Sequence, residues 1–431
     1  MSSAVISILI LVFCIVLFIK EPVPTGVSAL LGSFLLVLFG VCDWNTVFGN
    51  YVSNTIVLFA SMLVIGEALM VTGAGEIIGN LILRVAHGND KVFMIAVLLT
   101  AFVMSCFLAN TIVIASLMAI VASVCKQSRT LTMRNIMLPV AVMAIIGGIS
   151  TIVGSTQQLA AQQILIEQIG QGYGFADFLK VTGPVGITAL FYFLTIGPRL
   201  GKKIWGKRDE EEAEEAQRLA AEIEAGSVKR EVDTKKARIV FIIFFAVIAL
   251  FLWGGLSSGL VALMGALACL LTKCITFKQC QSMPTINIVF WLAGCLSLSS
   301  GLSKSGASDL IGSLFVSMFG ADINVYIFFA IICLITMVLS TFASSTMILV
   351  LMLTAVIPIC DTLGINLWCM ATGIIMSASL VWVTPLANGH VGMVAAAGYK
   401  FSDYFYFLWP LAVIVFIEIV VLVPMWYPIM A

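Results

Sequence analysis

The chain has 431 residues, of which 61% are hydrophobic and only 10% are charged, and its mean hydropathy is +1.13. A soluble domain is about half apolar and about a quarter charged, so this composition excludes a secreted enzyme and a disordered scaffold. The 22 basic and 22 acidic residues cancel, which excludes the basic surface of a nucleic-acid-binding protein. We therefore predict a polytopic membrane protein whose surroundings are the lipid bilayer.

Apolar runs cover most of the chain, and most are near the ~20 residues that one membrane crossing takes. In chain order they lie near residues 3–19, 23–41, 52–70, 92–125, 136–153, 180–197, 239–254, 257–272, 285–302, 323–360, 366–386 and 402–427. The first run has no basic residue before it and no small-residue cleavage site after it. It is therefore predicted to be a true span and not a signal peptide.

Two of the apolar runs are too long for one crossing. The run between Lys91 and Lys126 would extend about 51 Å as a single helix at 1.5 Å per residue. Each long run has a polar cluster at its middle: Ser105, Asn110 and Thr111 in the first, and Ser340, Thr341, Ser344, Ser345 and Thr346 in the second. The pattern favours a re-entrant helical hairpin whose tip lies near mid-membrane, in a cavity or buried in protein. Two short spans joined by a buried turn are the alternative.

The chain also repeats itself. An offset of 233 residues lays TGVSALLG (25–32) over SGLVALMG (258–265), and an offset of 235 lays the first polar cluster over the second. Two homologous halves, residues 1–198 and 239–431, are therefore predicted. Five crossings in each half make the second half inverted relative to the first, as in many secondary transporters. The predicted fold class is an all-α polytopic membrane protein with two inverted-topology repeats.

Each predicted repeat has scaffold spans, an amphipathic arm, a hairpin, an interrupted span and a last span. In repeat 1 these are residues 3–70, 74–90, 91–126, 136–158 and 180–197. In repeat 2 they are residues 239–302, 304–321, 322–361, 366–390 and 402–427. Between them lies a charged linker, 199–238, predicted to be solvated, with an exposed helix over EEEAEEAQRLAAEIEAG. A regulatory or partner-binding role of the linker is the alternative.

The basic residues predict the orientation. With both termini outside, every Lys and Arg except Lys180 and Lys304 lies on the inner side, as the positive-inside rule expects. The linker is then cytoplasmic, and the membrane is predicted to be a bacterial inner membrane. The first hairpin opens to the inside and the second to the outside, so their tips converge from opposite faces.

The polar tips are the predicted site. Asn110 and Ser345 each start the return helix of a hairpin, and a helix N-terminus is a ready anion site. Two interrupted spans, GGISTIVGSTQQ (147–158) and SASLVWVTPLANGH (377–390), break at matching places in the two halves. Paired breaks indicate a binding site, although ordinary kinks are the alternative. Because these segments contain no Lys or Arg, a substrate anion would be held by hydroxyls, amides, helix dipoles and co-bound sodium.

These motifs carry a family resemblance over nearly the whole chain. The first tip has Ser105, Ala109, Asn110 and Thr111 at the positions of S-x-x-x-S-N-T, and the second tip has Ser340, Ser344, Ser345 and Thr346. Gly154-Ser155-Thr156-Gln157-Gln158 and Val383-Thr384-Pro385-Leu386-Ala387 stand at the two G-T-P-P-N-like turns. The layout resembles the divalent anion:sodium symporter family of the ion-transporter superfamily.

The resemblance implies roles for individual residues. One sodium ion would bind Ser105, Asn110 and the backbone near Gly154, and a second would bind Ser340, Ser345 and the backbone near Val383. The substrate carboxylates would face Asn110, Thr111, Ser345, Thr346, Thr384 and Pro385. The resemblance also implies a homodimer, elevator-type movement and no organic cofactor. Ala109 and Ser345 depart from the family's Ser and Asn, which argues against assuming a standard four-carbon dicarboxylate.

Two further residues are candidates for ion coupling. Glu418 lies mid-way along the last span, and His390 lies close to the second break. Each has a structural alternative, a protonated or paired acid for Glu418 and a polar cap for His390. The leading hypothesis is sodium-coupled transport of a small organic anion such as a di- or tricarboxylate. Proton coupling, exchange, an inorganic oxyanion substrate or another solute stay open, whereas an enzyme and a channel are disfavoured.

Overall fold

The computed structural model describes residues 2–20, 22–73, 77, 81–82, 84, 89–126, 131–211, 218, 221, 233–281, 285–307, 310, 324–342, 345–384 and 389–430. Within these ranges the chain is almost entirely helical, and its β-structure is limited to an isolated bridge between Ile365 and Met430. Most of the two predicted arms and most of the linker, including its predicted exposed helix, lie outside the described residues.

The first half is a series of helices. They are Ser3–Lys20 (α1), Thr25–Leu38 (α2), Trp44–Gly49 (α3), Asn54–Val71 (α4), Asp90–Ser105 (α5), Asn110–Cys125 (α6), Met133–Gly148 (α7), Thr156–Ile169 (α8) and Leu179–Thr195 (α9). Gly197–Ile204 (α10) and Gly206–Glu211 (α11) follow at the start of the linker. A short 3₁₀ turn, Asn50–Val52, joins α3 to α4. The helical stretch Trp44–Val71 therefore begins before the predicted span, residues 52–70.

The second half has a matching series. Its helices are Thr234–Trp253 (α12), Ser258–Leu271 (α13), Phe277–Gln281 (α14), Thr285–Lys304 (α15), Val325–Phe342 (α16), Ser345–Leu363 (α17), Leu367–Ser379 (α18), Gly389–Met393 (α19) and Phe401–Trp426 (α20). A 3₁₀ turn, Val394–Ala397, follows α19.

Local sequence signals set several of these boundaries. The side chain of Asn89 accepts hydrogen bonds from the backbone of Lys91 and Val92 and so caps the N-terminus of α5. Asn366 caps α18 in the same way. Gly170 ends α8 with a left-handed φ of 70°, and Gly254 ends α12 with a φ of 69°. These are the residue types that helix ends favour, because a short polar side chain or a missing Cβ satisfies the terminal geometry.

The apolar helices are those of an integral membrane protein. Within the described residues, four helical stretches are long and apolar enough to cross a bilayer: Trp44–Val71, Thr234–Trp253, Val325–Phe342 and Phe401–Trp426. A fifth is possible if α9 and α10 form one span, bent by 53°. Large apolar side chains such as Phe245 and Leu252 are more than 60% exposed on α12, as lipid contact requires.

Contacts between the halves occur in reciprocal pairs. Helix α2 packs on α15, and α13 packs on α4. The backbone N–H of Gly26 donates to Asn287 Oδ1 at 2.9 Å, and that of Gly259 donates to Asn54 Oδ1 at 3.0 Å. The two glycines are 233 residues apart, and so are the two asparagines. Such a swapped pair of contacts is what a two-fold interface produces.

The same relation holds for small residues in these helix interfaces. A Cβ on Gly32 would lie 3.2 Å from Leu298 Cδ2 of α15, and a Cβ on Gly265 would lie 2.8 Å from Ile65 Cδ1 of α4. These glycines therefore allow the close helix approach that membrane proteins use for packing.

The interrupted span of each half also contacts helices of the other half. Helix α8, which follows the first break, packs against α17 and α18 of the second half. Helix α19, which follows the second break, packs against α6 and α7 of the first half. The second helix of each predicted hairpin thus contacts the interrupted span of the other half, so both polar tips and both breaks converge on one region.

The start of the linker differs from the sequence-based prediction, which was a solvated segment. Trp205, between α10 and α11, is only 1% exposed, and its Nε1 donates to Asn135 Oδ1 at 2.9 Å. Arg134 of α7 pairs with Asp209 of α11 at 2.9 Å and donates through Nε to the carbonyl of Gly398 at 3.0 Å. We call this three-way contact the Arg134 clasp. It joins the linker to both halves. The buried aromatic ring and the paired charges hold this part of the linker against the helices, although its sequence is hydrophilic.

Candidate functional site

The first tip buries polar atoms that are left without partners. Helix α5 ends at Ser105 and α6 begins at Asn110. Ser105 is 0% exposed and Asn110 is 4% exposed. Ser105 Oγ and Asn110 Oδ1 have no hydrogen-bond partner among the residues that the structure describes. Because burying an unpaired polar group costs free energy, these oxygens are positioned for a ligand.

The second tip has the same property. Ser340 near the end of α16 is 0% exposed, and its Oγ finds no hydrogen-bond partner within the described part of the chain. Ser345 and Thr346 start α17 and are 6% and 3% exposed. Ser344 lies outside the described residues.

In each half, a threonine of the break donates a hydrogen bond to the predicted hairpin of the same half. In the first half, α7 ends at Gly148 and α8 begins at Thr156, and Thr151 between them donates to the carbonyl of Cys106. In the second half, Thr384 donates to the carbonyl of Thr341 at 3.0 Å. Both acceptors belong to the C-terminal end of a hairpin helix, whose last carbonyls lack helical partners. The remaining predicted residue of the second turn, Pro385, lies outside the described residues.

Glycines bring the first break against the first tip. A Cβ on Gly148 would lie 2.2 Å from Asn110 Oδ1. A Cβ on Gly154 would lie 2.3 Å from the carbonyl oxygen of Gly148 and 2.7 Å from that of Ser105. The Cβ of any other residue at Gly154 would collide with backbone atoms, and one at Gly148 would displace the Asn110 side chain. The two glycines therefore allow the first break to pack directly against the first tip.

If Asn110 binds the substrate, as the family resemblance implies, Gly148→Ala should weaken substrate binding. The added methyl group must displace the Asn110 amide, and loss of one hydrogen bond to a charged ligand costs about 1.5–3 kcal/mol, or roughly tenfold or more in affinity. The measurement is the half-saturating substrate concentration of uptake into proteoliposomes. Gly66→Ala in α4 is the matched control, because its Cβ would meet Leu108 Cδ2 at an ordinary 3.8 Å. Equal kinetics in the two variants would contradict a role of Asn110 in binding.

Hydroxyls of the two halves meet across the site. Thr156 Oγ1 of the first half lies 3.5 Å from Thr346 Oγ1 of the second half. Gln158 is 0% exposed, and its Nε2 donates across the first break to the carbonyl of Ile149 at 3.2 Å. Within the described residues there is no group of three His, Cys, Asp or Glu side chains that could hold a metal ion. The polar chemistry of this site is therefore that of hydroxyls, amides and carbonyls, which suits a hard cation.

The other residues predicted to bind substrate or sodium differ in their exposure. Thr111 is exposed, unlike its counterpart Thr346, and Val383 is half-buried. His390 lies on α19, which packs against α6 and α7.

Glu418 of α20 faces α9. It accepts a hydrogen bond from Thr188 in α9. Thr182, six residues earlier on the same helix, donates to Ser150 Oγ at the first break at 2.7 Å. At 1.5 Å per residue the Glu418 contact is about 9 Å further along α9 than the break. The role of Glu418 in ion coupling stays a prediction.

Four residues of the predicted interrupted spans were not singled out as site residues by the sequence analysis. They are Gly148, Thr151, Ser377 and Ser379, and the last two are buried with oxygens that lack a partner among the described residues. The alignment of the two turns lays Thr384 over Ser155, so the repeat gives no signal for Thr151. The same alignment lays Ser377 over Gly148 and Ser379 over Ser150, so of these two only Ser379 has a polar counterpart.

Apolar helices, two broken spans and buried polar tips between related halves are the features of a secondary transporter. Comparison with known proteins agrees. The chain belongs to the citrate transporter family, whose sequence profile matches residues 15–254 and 248–429.

Individual relatives are also transporters. An uncharacterized transporter of Haemophilus influenzae is 25% identical over 416 residues, covering 90% of this chain and 84% of the relative. The sodium-dependent high-affinity dicarboxylate transporter 3 of Caenorhabditis elegans is 22% identical over 454 residues, covering 90% and 77%. The chain matches 29% of the length of the Escherichia coli transporter YfbS, at 28% identity over 42% of its own length.

A solved structure shares the fold. The YdaH transporter of Alcanivorax borkumensis superposes with a TM-score of 0.58 over 99% of both chains, at 13% sequence identity. At that identity the similarity extends to the fold alone.

Proposed function

We propose that this protein is a sodium-coupled secondary transporter that takes up a small organic anion such as a di- or tricarboxylate. The observation that carries the proposal is the pair of buried hydroxyls, Ser105 and Ser340, at equivalent places in the two predicted hairpin tips, neither of which has a hydrogen-bond partner among the described residues. Buried unpaired oxygens repeated at matching positions are explained by ligands that occupy them during transport.

The substrate anion is held by helix ends and neutral donors. Helices α6 and α17 begin at Asn110 and Ser345, and their N-terminal N–H groups and dipoles favour negative charge. Thr346 and Thr156 add hydroxyl donors, 3.5 Å apart, from the two halves. Thr111, Thr384 and Pro385 complete the proposed substrate set.

Sodium ions provide the positive charge that the tips lack. One ion binds Ser105, Asn110 and the backbone near Gly154, where the glycine contacts support a shared oxygen cage. A second ion binds Ser340, Ser345 and the backbone near Val383. Their binding explains how an anion can be attracted into a site without Lys or Arg, because cation and substrate charges offset each other.

The relatives support a polycarboxylate substrate. The family is described as citrate transporters, and the Caenorhabditis elegans relative as a sodium-dependent dicarboxylate transporter. Citrate and succinate are therefore the first substrates to test. The altered tip residues Ala109 and Ser345 leave room for preferences that differ from those of a four-carbon dicarboxylate carrier.

The transport mechanism we propose is an elevator between inverted repeats, residues 1–198 and 239–431, in a homodimer. The reciprocal contacts of Gly26 with Asn287 and of Gly259 with Asn54 support the two-fold relation of the halves. With both termini outside and the linker inside, the chain would lie in a bacterial inner membrane.

Uptake into proteoliposomes tests the proposal. Labelled citrate or succinate is expected to accumulate only when an inward sodium gradient is imposed. Equal uptake from sodium and from choline media, over a panel of carboxylates and inorganic oxyanions, would contradict sodium coupling.

Proton coupling is the second candidate, and Glu418 is the residue that tests it. If sodium drives uptake, Glu418→Gln keeps the wild-type dependence on sodium and on external pH, because the amide preserves the Thr188 contact. The measurement is the initial uptake rate at several external pH values with sodium held constant. Glu67→Gln in α4 controls for loss of an acidic side chain. A selective loss of pH-driven uptake in Glu418→Gln would favour proton coupling instead.

A further inference from the structure

A cavity of about 630 Å³ lies far from the hairpin tips. It is lined by the beginning of α5 and α7, the end of α9, the helices α10 and α11, and Phe407 of α20. Asp90 and Ser105 stand at opposite ends of α5, which separates the cavity from the first tip by about 22 Å at 1.5 Å per residue. The cavity is therefore distinct from the proposed transport site.

The cavity has an apolar wall and a charged mouth. Met94, Leu194 and Phe193 contribute to the wall, and Lys91 and Lys202 contribute to the mouth. The two lysines are exposed. An apolar channel that ends at cationic groups matches a molecule with a hydrocarbon chain and an anionic head.

The charge balance at the mouth is positive. Asp209 also lines the cavity, but Arg134 pairs with it at 2.9 Å, and the hydroxyl of Thr132 donates to it as well. Among the described lining residues, Lys91 and Lys202 therefore outnumber the one other acidic side chain, Asp90, which has interactions of its own. An anionic ligand is favoured over a zwitterionic one.

Two features around the cavity are typical of the membrane–water interface. Helix α10 bends by 53° away from α9, and it carries two further exposed basic residues, Arg199 and Lys203. Trp205, which lines the cavity, donates its Nε1 proton to Asn135. Tryptophan with a satisfied N–H is typical of the membrane–water interface, as are basic residues on a short amphipathic helix.

We propose that this cavity binds one anionic glycerophospholipid from the membrane leaflet that faces the basic loops. The phosphate lies at Lys91 and Lys202, and one acyl chain lies along Met94, Leu194 and Phe193. The lipid site uses the membrane-embedded fold and does not depend on the identity of the transported substrate. The lipid-binding proposal can therefore be wrong while the proposed transport function is right, and the transport proposal can be wrong while lipid binding is right.

Lipid binding to the full-length protein, purified in mild detergent, tests the proposal. Native mass spectrometry would count retained copies of phosphatidylglycerol and of phosphatidylethanolamine with identical acyl chains. One phosphatidylglycerol is expected to bind tightly, and Lys202→Glu is expected to weaken it about tenfold. The matched control is Lys203→Glu, which makes the same charge change on the same helix at a residue that does not line the cavity, and it should bind as the wild type does.

Two outcomes would overturn the proposal. Equal losses in Lys202→Glu and Lys203→Glu would indicate general surface attraction, and equal retention of both lipids would remove the preference for an anionic head. A second variant, Leu194→Trp, fills the apolar wall and leaves the lysines in place. If it elutes as the wild type does in size-exclusion chromatography, it should also lose the bound phosphatidylglycerol, and unchanged binding would place the lipid elsewhere.

Discussion

Replacing Ser105 and Ser340 together by alanine is expected to abolish sodium-driven uptake without destabilising the protein. Both side chains are 0% exposed, and both hydroxyls lack a hydrogen-bond partner among the described residues. Removing a buried hydroxyl that has no partner removes a desolvation cost, so the thermal midpoint should stay level or rise. Each hydroxyl that ligates a cation contributes about 1.5–3 kcal/mol, or roughly 10- to 100-fold in apparent affinity.

The sodium concentration for half-maximal uptake, measured beside the thermal midpoint, separates these two effects. Ser116→Ala is the matched control, because Ser116 lies in the same hairpin but donates to its own helix at the carbonyl of Ile112, 2.9 Å away. It should transport normally. Normal sodium dependence in the Ser105→Ala/Ser340→Ala variant would remove both residues from the cation sites. A fall in midpoint of several degrees would show that their role is structural.

Of the substitutions considered, Arg134→Ala is expected to give the largest loss in the free energy of unfolding. The Arg134 clasp pairs Arg134 with Asp209 at 2.9 Å, and both side chains are only 11% exposed. Removing one partner of a buried ion pair leaves an uncompensated charge and costs about 3–5 kcal/mol. The carbonyl of Gly398 loses its guanidinium donor as well. Equilibrium unfolding in mixed micelles measures the loss.

An exposed ion pair is the control for this variant. Lys180 and Asp177 lie at a similar distance, 2.8 Å, but their side chains are 43% and 30% exposed, so Lys180→Ala should cost less than about 1 kcal/mol. Combining Arg134→Ala with Asp209→Leu should restore part of the stability, because the double change removes the stranded charge. If Arg134→Ala and Lys180→Ala lose the same amount, the clasp does not stabilise the contact between linker and helices.

The hairpin tips illustrate how far the sequence alone could go. A polar cluster in the middle of an apolar run too long for one span predicted an interruption there, and α5 ends at Ser105 while α6 begins at Asn110. The same reasoning pointed to the interrupted spans, where α7 ends at Gly148 and α8 resumes at Thr156. These predictions rest on local physics, because unpaired polar groups and broken helices are costly in lipid wherever they occur.

The partners of the tips were beyond the reach of local patterns. Thr151 hydrogen-bonds a carbonyl 45 positions earlier, and Thr156 approaches Thr346, which is 190 positions away. Nor did composition distinguish Trp205 and Asp209, in a charged linker, from solvated residues. Their burial follows from contacts with α7 and with the segment before α20.

The sequence by itself determined that this is a helical membrane protein, and it predicted an internal repeat with two polar interruptions in each half, because hydropathy, spacing and self-similarity are properties of the chain. Only the tertiary structure decided which interruptions meet, which hydroxyls stay unpaired and which charges become buried. Those outcomes depend on the packing of helices that are far apart in sequence, such as α8 on α17 and α19 on α6. Packing of this kind is set by the shapes of both surfaces at once, and no single segment encodes it.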